Sequence, residues 1–327
     1  MIELLTIDGY KSIRHQLIPL KDLNVLAGLN SSGKSSVIQS LRILGKVAQH
    51  KDDVFPEHCG DEDILRNKHE ERMEIAANYG NQGEKKISYS ARMEQYPDFP
   101  IIIYVGADRI GPQTIYPSKK NGGLDGRGSN VLRCIEECSD AGVVLPEIML
   151  TDKTEGEGFK FVVQGWLKEI SPGVRFNMDK VPGQEAHTAS YNDFWPTNVG
   201  FGLSYTLPII VAVLLGITDK NSIVLLENPE AHIHAKGQSA LADLICRAVD
   251  AGAQIVVETH SDHVFDGVRI YAKEHPGFAQ KVNIAWFRLN AEDTTEIDYP
   301  MLQDNGSLNS WPHDMFSQFM DNAERLL

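Results

Sequence analysis

Hydrophobic and polar positions alternate at the start of the chain and then change period. Ile2 to Ile7 and Arg14 to Pro19 read as two strands of a hairpin turned near Gly9, followed by an apolar strand from Leu23 to Ala27. After a loop at 28–33, Val37, Ile38, Leu41, Leu44 and Val47 fall at helical spacing and predict a helix from Lys34 to Ala48. A polar, charged stretch from Gln49 to Glu71 precedes strand-like segments at Arg72 to Tyr79, Lys86 to Glu94 and Ile101 to Val105. Residues 117–130, PSKKNGGLDGRGSN, predict an exposed loop, and helices are expected near Val131 to Cys138 and Thr151 to Ile170. The last third alternates buried strands with helices: Ser222 to Leu226, Lys236 to Val249, Ala253 to Glu258, His263 to Lys273, Val282 to Arg288. That alternation predicts an α/β fold whose mostly parallel sheet is covered by helices, beside a mixed β lobe. No heptad run, internal repeat or low-complexity tract interrupts it.

Composition narrows the picture. The 327 residues are 42% hydrophobic and 23% charged, ordinary for a globular chain able to bury a sizeable core. The longest apolar stretch, Leu207 to Gly216, is shorter than the roughly 18 residues a membrane span needs, and MIELLTIDGY has no signal-peptide pattern, so a cytoplasmic protein without a membrane is expected. Cys59, Cys134, Cys138 and Cys246 form no CxxC pair and are expected as free thiols. A net charge of −14 without an obvious basic stripe argues against a chain that grips DNA by itself; nucleic-acid contact is expected to be local, indirect or absent.

The sharpest chemical signal is GLNSSGKS, Gly28 to Ser35, which fits G-x-x-x-x-G-K-[ST] between an apolar strand and a helix. Glycines let backbone N–H groups converge on phosphates, and the helix N-terminus adds partial positive charge. Asn30, Ser31, Ser32, Gly33, Lys34, Ser35 and Ser36 are therefore expected to cradle ATP, with Lys34 on the β- and γ-phosphates and the Ser35 hydroxyl on Mg²⁺. A second acidic element follows the apolar run Ser222 to Leu226. Glu227 at its tip suits a role in orienting Mg²⁺ and its water. Glu230, His232 and His234 just beyond read equally well as a solvated loop, with an HxH metal site as a further alternative.

Two later segments separate the P-loop families. Asn198-Val-Gly200-Phe-Gly202-Leu-Ser204 is a glycine-rich turn running into an apolar helix, Thr206 to Leu215, and resembles the signature element of ABC-type ATPase heads. The bland alternative is a helix capped by Ser204. Gln254 to Ser261 is an apolar strand ending at His260, similar to the switch histidine of those heads. Together GLNSSGKS, VGFGLS, LLENPEAHIH and VVETHSDH resemble the RecF/SMC/OLD branch of the ABC-type AAA family ATPases, with PEAHIH closest to OLD-like bacterial members. YVGADRIGP (104–112) and the tail from Asp304 to Pro312 resemble a small-ATPase subfamily with a short C-terminal extension.

The resemblance implies a single ATPase head over 1–327: N-terminal strands and P-loop at 1–50, an inserted lobe at 50–195, the signature, acidic strand and switch histidine at 196–300, and a tail at 301–327. It implies a homodimer or higher oligomer sandwiching ATP, in which Gly202 and Ser204 meet the γ-phosphate bound by the other subunit and His260 reaches it from within. It also implies a separate effector, a nuclease or other toxic protein in antiphage defence, gated by that closure. Where ABC-type heads carry a water-polarising glutamate this chain has Asn228, which can position water but cannot accept its proton. Glu230 can substitute, or turnover is slow. Arg109 is a candidate phosphate or dimer contact, with a structural ion pair as the alternative. Asp61-Glu-Asp63 reads as a solvated run. Two competing functions remain: a nucleotide-sensing scaffold with negligible turnover, and a RecF-like DNA-processing ATPase.

Overall fold

The N-terminal alternation becomes an antiparallel hairpin because its apolar side chains share one face. In the computed structural model, which describes residues 1–55, 61–90, 96–120, 122–317, 322 and 324–326, the chain divides into two compact units interleaved along the sequence. One is Ile2–Pro97 with Arg269–Leu327; the other is Asp98–Val268 with Met1.

In the first unit β1 (Ile2–Tyr10) and β2 (Ile13–Pro19) pair antiparallel, Leu5 opposite Ile18. Leu5 and Ile7 are buried while Glu3 between strand neighbours faces water, the half-covered pattern of an antiparallel sheet. Next, β3 (Leu23–Gly28) is buried throughout and delivers the chain to α1 (Lys34–Ala48). The buried face of α1 includes Val37, Ile38, Leu41, Leu44 and Val47, the positions the spacing predicts. A short helix, α2 (Glu62–Leu65), is capped by Asp61, whose side chain accepts from the Ile64 amide. The DED run therefore starts a helical turn as well as facing solvent. Then β4 (Glu74–Tyr79) adds to β1 and β5 (Lys85–Ser88) to β4, giving the order β2-β1-β4-β5. Residues up to 97 fall in the same compact unit as the N-terminal strands. The expected strand from Lys86 to Glu94 ends at Ser88; residues 91–95, like Cys59, lie outside the described residues.

The second unit opens with β6 (Ile101–Val105) and β7 (Tyr116–Pro117). It continues through α3 (Val131–Asp140), α4 (Phe159–Ile170), β8 (Phe176–Lys180), β9 (Ala186–Tyr191) and α5 (Phe201–Thr218). Then β10 (Ser222–Glu227), α6 (Ala235–Asp250) and β11 (Gln254–Glu258) complete it. Strands β6, β10 and β11 run parallel with β10 in the middle. The unbroken apolar sequences of β10 and β11 follow from burial on both faces, whereas β6 is only partly covered. The helix α5 has the length and apolarity that a membrane span needs, yet two thirds of it is buried within the unit, where it packs on β6, β10, α4 and α6. A second sheet, β7-β9-β8, is antiparallel. Finally α7 (Asp262–Glu274) returns the chain to the first unit, where β12 (Val282–Leu289) pairs parallel with β3 and β13 (Thr295–Asp298) antiparallel with β12.

Several elements depart from the sequence reading. The helix expected from Thr151 begins only at Phe159; Thr151–Thr154 is a turn closed by Thr154 N–H to Thr151 O at 2.9 Å, and Gly156 and Gly158 separate it from α4. The glycine-rich turn becomes helical earlier than expected, at Phe201 instead of Thr206.

Candidate functional site

Backbone geometry shapes the loop between β3 and α1. Gly28 and Gly33 take φ of 143° and 107°, and Ser31 takes 63°, conformations that L side chains seldom adopt. At Gly28 a Cβ would lie 2.2 Å from the Phe287 carbonyl oxygen, so β12 enforces glycine there as well. Lys34 is buried, its Nζ donating to the carbonyls of Gly28 at 3.0 Å and Leu29 at 2.7 Å. The ammonium is thus folded into the loop it would share with a phosphate. The Ser32 hydroxyl closes the loop on itself by donating to Leu29 O at 2.7 Å. Asn30 and Ser31 are exposed, Ser35 is half-buried, and Ser36 is buried with its carbonyl accepting from Ser40 Oγ. Glycine-permitted amides, a helix start and a cation on one loop fit a nucleotide phosphate. A neighbouring cation escaped the sequence reading: Lys11, at φ 53° in the β1–β2 turn, donates from Nζ to Gln39 Oε1 on α1 at 2.5 Å.

The second unit gathers the acidic element. Glu227 ends β10, and its Oε2 accepts from Tyr104 OH at 3.1 Å and from the Ala107 amide at 3.3 Å, which aims the carboxylate. Tyr104 belongs to the YVGADRIGP segment, whose role the sequence left open. Of the two readings of Arg109 the geometry favours the structural one, with backbone carbonyls as partners in place of an ion pair. It is only 3% exposed, and it donates to the carbonyls of Gly106 at 2.8 Å, Glu227 at 2.9 Å and Asn228 at 2.8 Å. Its guanidinium lies 5.5 Å from the Tyr205 ring centroid. Burial lowers its pKa below the ordinary arginine value, opposed by Glu230, Tyr205, Glu227 and Tyr104. Arg109 is a strut that holds the acidic turn.

Asn228 sits at φ 44°, a conformation asparagine tolerates better than most residues, with its amide donating to Glu258 O at 2.9 Å. Its Oδ1 is buried and unpartnered, as is Oε2 of Glu230. Glu230 Oε1 accepts from the backbone amide of His260 at 2.9 Å. Asn228, Glu230 and His260 are therefore brought together on adjacent strand ends, with hydrogen-bonding capacity in hand. The two histidines of PEAHIH diverge in use. His232 packs edge-on against Tyr205 with ring centroids 4.6 Å apart, while His234 caps α6, its Nδ1 accepting from the Lys236 amide at 3.3 Å.

The glycine-rich turn requires a further correction. Helix α5 has Gly200 as its N-cap, so its first free amides belong to residues around Phe201 and Gly202. Ser204 lies one turn inside, 5% exposed, its hydroxyl against the phenols of Tyr116 and Tyr191 without a well-formed hydrogen bond to either. It does not cap the helix, and its hydroxyl is buried within this chain. Gly202 is required for packing: a Cβ would lie 2.5 Å from His232 O. Around the turn Phe194, Trp195 and Phe201 are 59%, 47% and 58% exposed.

Comparison with known proteins completes these observations. The family model described as AAA ATPase domain matches residues 1–130 and 150–265. Among curated proteins none matches. Similar solved structures include the Smc head domain with an extended coiled coil bound to the C-terminal domain of ScpA, derived from Pyrococcus furiosus. The likeness is 14% identity over 99% of this chain and 99% of that one, with a TM-score of 0.54. The SmcHead bound to the C-winged helix domain of ScpA is also similar, at 14% identity over 92% and 98% of the two chains and a TM-score of 0.51. The fold is that of an SMC-type ATPase head, mixed α/β with parallel strands flanked by helices.

Proposed function

The chain belongs to the AAA ATPase domain family, and from that premise we propose that it is a Mg²⁺-dependent ATPase that pairs with a second copy of itself and gates a separate effector. The observation that carries the reading is the P-loop: a strand, a loop whose two glycines hold left-handed φ, and a helix whose first residue is a buried lysine bonded to the loop carbonyls. In this reading the loop amides and Lys34 bind the phosphates, while Ser35 and Glu227 are each of a type that ligates the cation, which when bound neutralises charge on the phosphate oxygens. Tyr104 and the Ala107 amide keep the Glu227 carboxylate oriented.

Glu230 is the group that orients and deprotonates water. Asn228 has no proton-accepting capacity at neutral pH, whereas Glu230 keeps one carboxylate oxygen unpartnered while the other is fixed by His260 N–H. Self-pairing is supported by the exposed Phe194, Trp195 and Phe201 around an exposed helix start, a concentration of apolar surface that a lone chain leaves in water. The contact offered there is backbone amides at 201–202, in place of the Ser204 hydroxyl. The SMC heads above are bound to ScpA domains, which agrees with a head that works through another protein. Antiphage defence, with a nuclease or toxin as effector in the cytoplasm, is the role that the OLD-like motifs favour.

The direct test is ATP titration of the purified protein by calorimetry, followed by sedimentation with and without ATP. Saturable binding and an ATP-dependent doubling of mass support the reading; no binding to wild-type protein at millimolar ATP overturns it. A second reading, a nucleotide sensor with negligible turnover, is favoured by Asn228 alone. Phosphate release from wild type beside Asn228→Glu separates the two, since a large gain in the variant marks the sensor.

A further inference from the structure

We infer that Thr295, backed by Ser12, is a positioning residue that aims the P-loop amides, an inference that rests on the ATP-binding reading. Thr295 opens β13, far along the chain from the loop and outside the residues that the family match covers. It is 1% exposed, and its polar atoms are all engaged. Its amide donates to Ser12 O at 2.9 Å, its carbonyl accepts from Gln16 Nε2 at 3.2 Å, and its hydroxyl donates to Ser32 O at 2.9 Å. A hydroxyl has one proton. With that proton given to Ser32, the 2.8 Å contact between Ser12 Oγ and Thr295 Oγ1 runs from Ser12 to Thr295. The result is a one-way chain, Ser12 to Thr295 to the loop carbonyl, in which each bond polarises the next.

The effect on the loop follows from peptide geometry. The Ser32–Gly33 peptide is trans, so its C=O and N–H point to opposite sides of one plane. Holding the Ser32 carbonyl on Thr295 turns the Gly33 N–H the other way, at the start of α1 where phosphate-binding amides collect. Thr295 also accounts for Gly33. A Cβ there would lie 2.5 Å from Thr295 Oγ1 and 3.1 Å from its Cγ2, so the strap and a side chain cannot coexist. Loop and strap depend on each other: the glycine gives the hydroxyl room to reach the carbonyl, and the hydroxyl fixes the glycine's amide.

The test compares Thr295→Val, which keeps shape and loses the hydroxyl, with Thr295→Ser, which keeps the hydroxyl. Binding of a fluorescent ATP analogue is measured together with hydrogen exchange across 28–36 in nucleotide-free protein. Leu302→Ala, a buried apolar truncation in the tail, is the control for general destabilisation. Thr295→Val is expected to weaken binding about five- to tenfold and to speed exchange at 28–36, with Thr295→Ser within about twofold of wild type. Binding by Thr295→Val within twofold of wild type overturns the inference, as does equal loss in Thr295→Ser or Leu302→Ala. Should Thr295→Val fail to fold, Ser12→Ala decides. That variant is expected to weaken binding about threefold and quicken the same amides; no change in either sinks the strap. Failure of wild type to bind ATP would remove the ATPase reading instead, while exchange at 28–36 still reports on the strap.

Discussion

The P-loop and the acidic strand end handle their polar groups in opposite ways. In the first unit the loop satisfies itself: Lys34 donates to the carbonyls of Gly28 and Leu29, and Ser32 Oγ donates to the same Leu29 carbonyl. In the second unit the strand end leaves buried capacity unspent, at Asn228 Oδ1, Glu230 Oε2 and Arg109 Nε. Buried polar atoms are normally paired, so a cluster of unpaired ones marks a place where a ligand or water completes the set. The difference suggests a division of labour. The loop is organised before any ligand arrives, and the strand end keeps capacity for a ligand or water to complete.

Lys34→Ala breaks the first half of this contrast most severely. Removing the ammonium takes the paired cation from the phosphates and its bonds from the Gly28 and Leu29 carbonyls, of which Leu29 keeps only the Ser32 hydroxyl. ATP affinity should fall by at least about a hundredfold, read by calorimetry. Retained affinity would mean that backbone amides alone bind the nucleotide. The next largest effect belongs to the second half. Glu230→Gln keeps shape and the bond from His260 N–H while removing the base. Phosphate release should drop about 10²- to 10⁴-fold with ATP affinity nearly unchanged. An equal fall in affinity would make Glu230 a binding residue and return the water-orienting role to Asn228.

Arg109 sharpens the contrast through stability. Arg109→Met fills much of the same volume yet leaves the carbonyls of residues 106, 227 and 228 without their donors. The loss should be about 3 kcal/mol, offset in part because a desolvated charge is also removed. A drop of several degrees in the melting midpoint, with ATP affinity changed less than Lys34→Ala changes it, is the expected pattern. An unchanged midpoint combined with lost ATP binding would restore Arg109 as a phosphate contact.

What the sequence made legible was local or strongly apolar. The P-loop is a contiguous string whose chemistry does not depend on distant residues, and β3, β10 and β11 are runs too apolar to read otherwise. Strands β8 and β9 were missed because Phe176-Asn-Met-Asp-Lys and His187-Thr-Ala-Ser carry polar residues on one face and few apolar residues on the other. The acidic tip was legible as Glu227, but its supports were not: Tyr104 and Arg109 lie more than a hundred positions away, and only the fold brings them to it. Thr295 is the extreme case. A threonine in Asp293-Thr-Thr-Glu carries no motif, and its value lies entirely in the carbonyl it faces. Arg109 stayed open for the opposite reason, since an arginine in a glycine-containing turn suits an anion ligand or a structural partner until its burial is known.

Ser204 is the smallest test and the one that discriminates most finely. A motif reading gives its hydroxyl to the nucleotide of another subunit, whereas the helix register turns it inward, against Tyr116 and Tyr191. Burial raises both phenol pKa values, so these rings are neutral neighbours at any ordinary pH and offer the serine no charge to answer. Deleting an unpaired buried hydroxyl removes a desolvation cost along with a small volume, and the two nearly cancel. Ser204→Ala should therefore leave the free energy of unfolding within about 0.5 kcal/mol of wild type and both ATP turnover and ATP-dependent pairing within about twofold. A loss of pairing in Ser204→Ala, with the isolated chain as stable as before, would mean that α5 unwinds its first turn when copies meet. The amides at 201–202 would then yield their role to the hydroxyl after all.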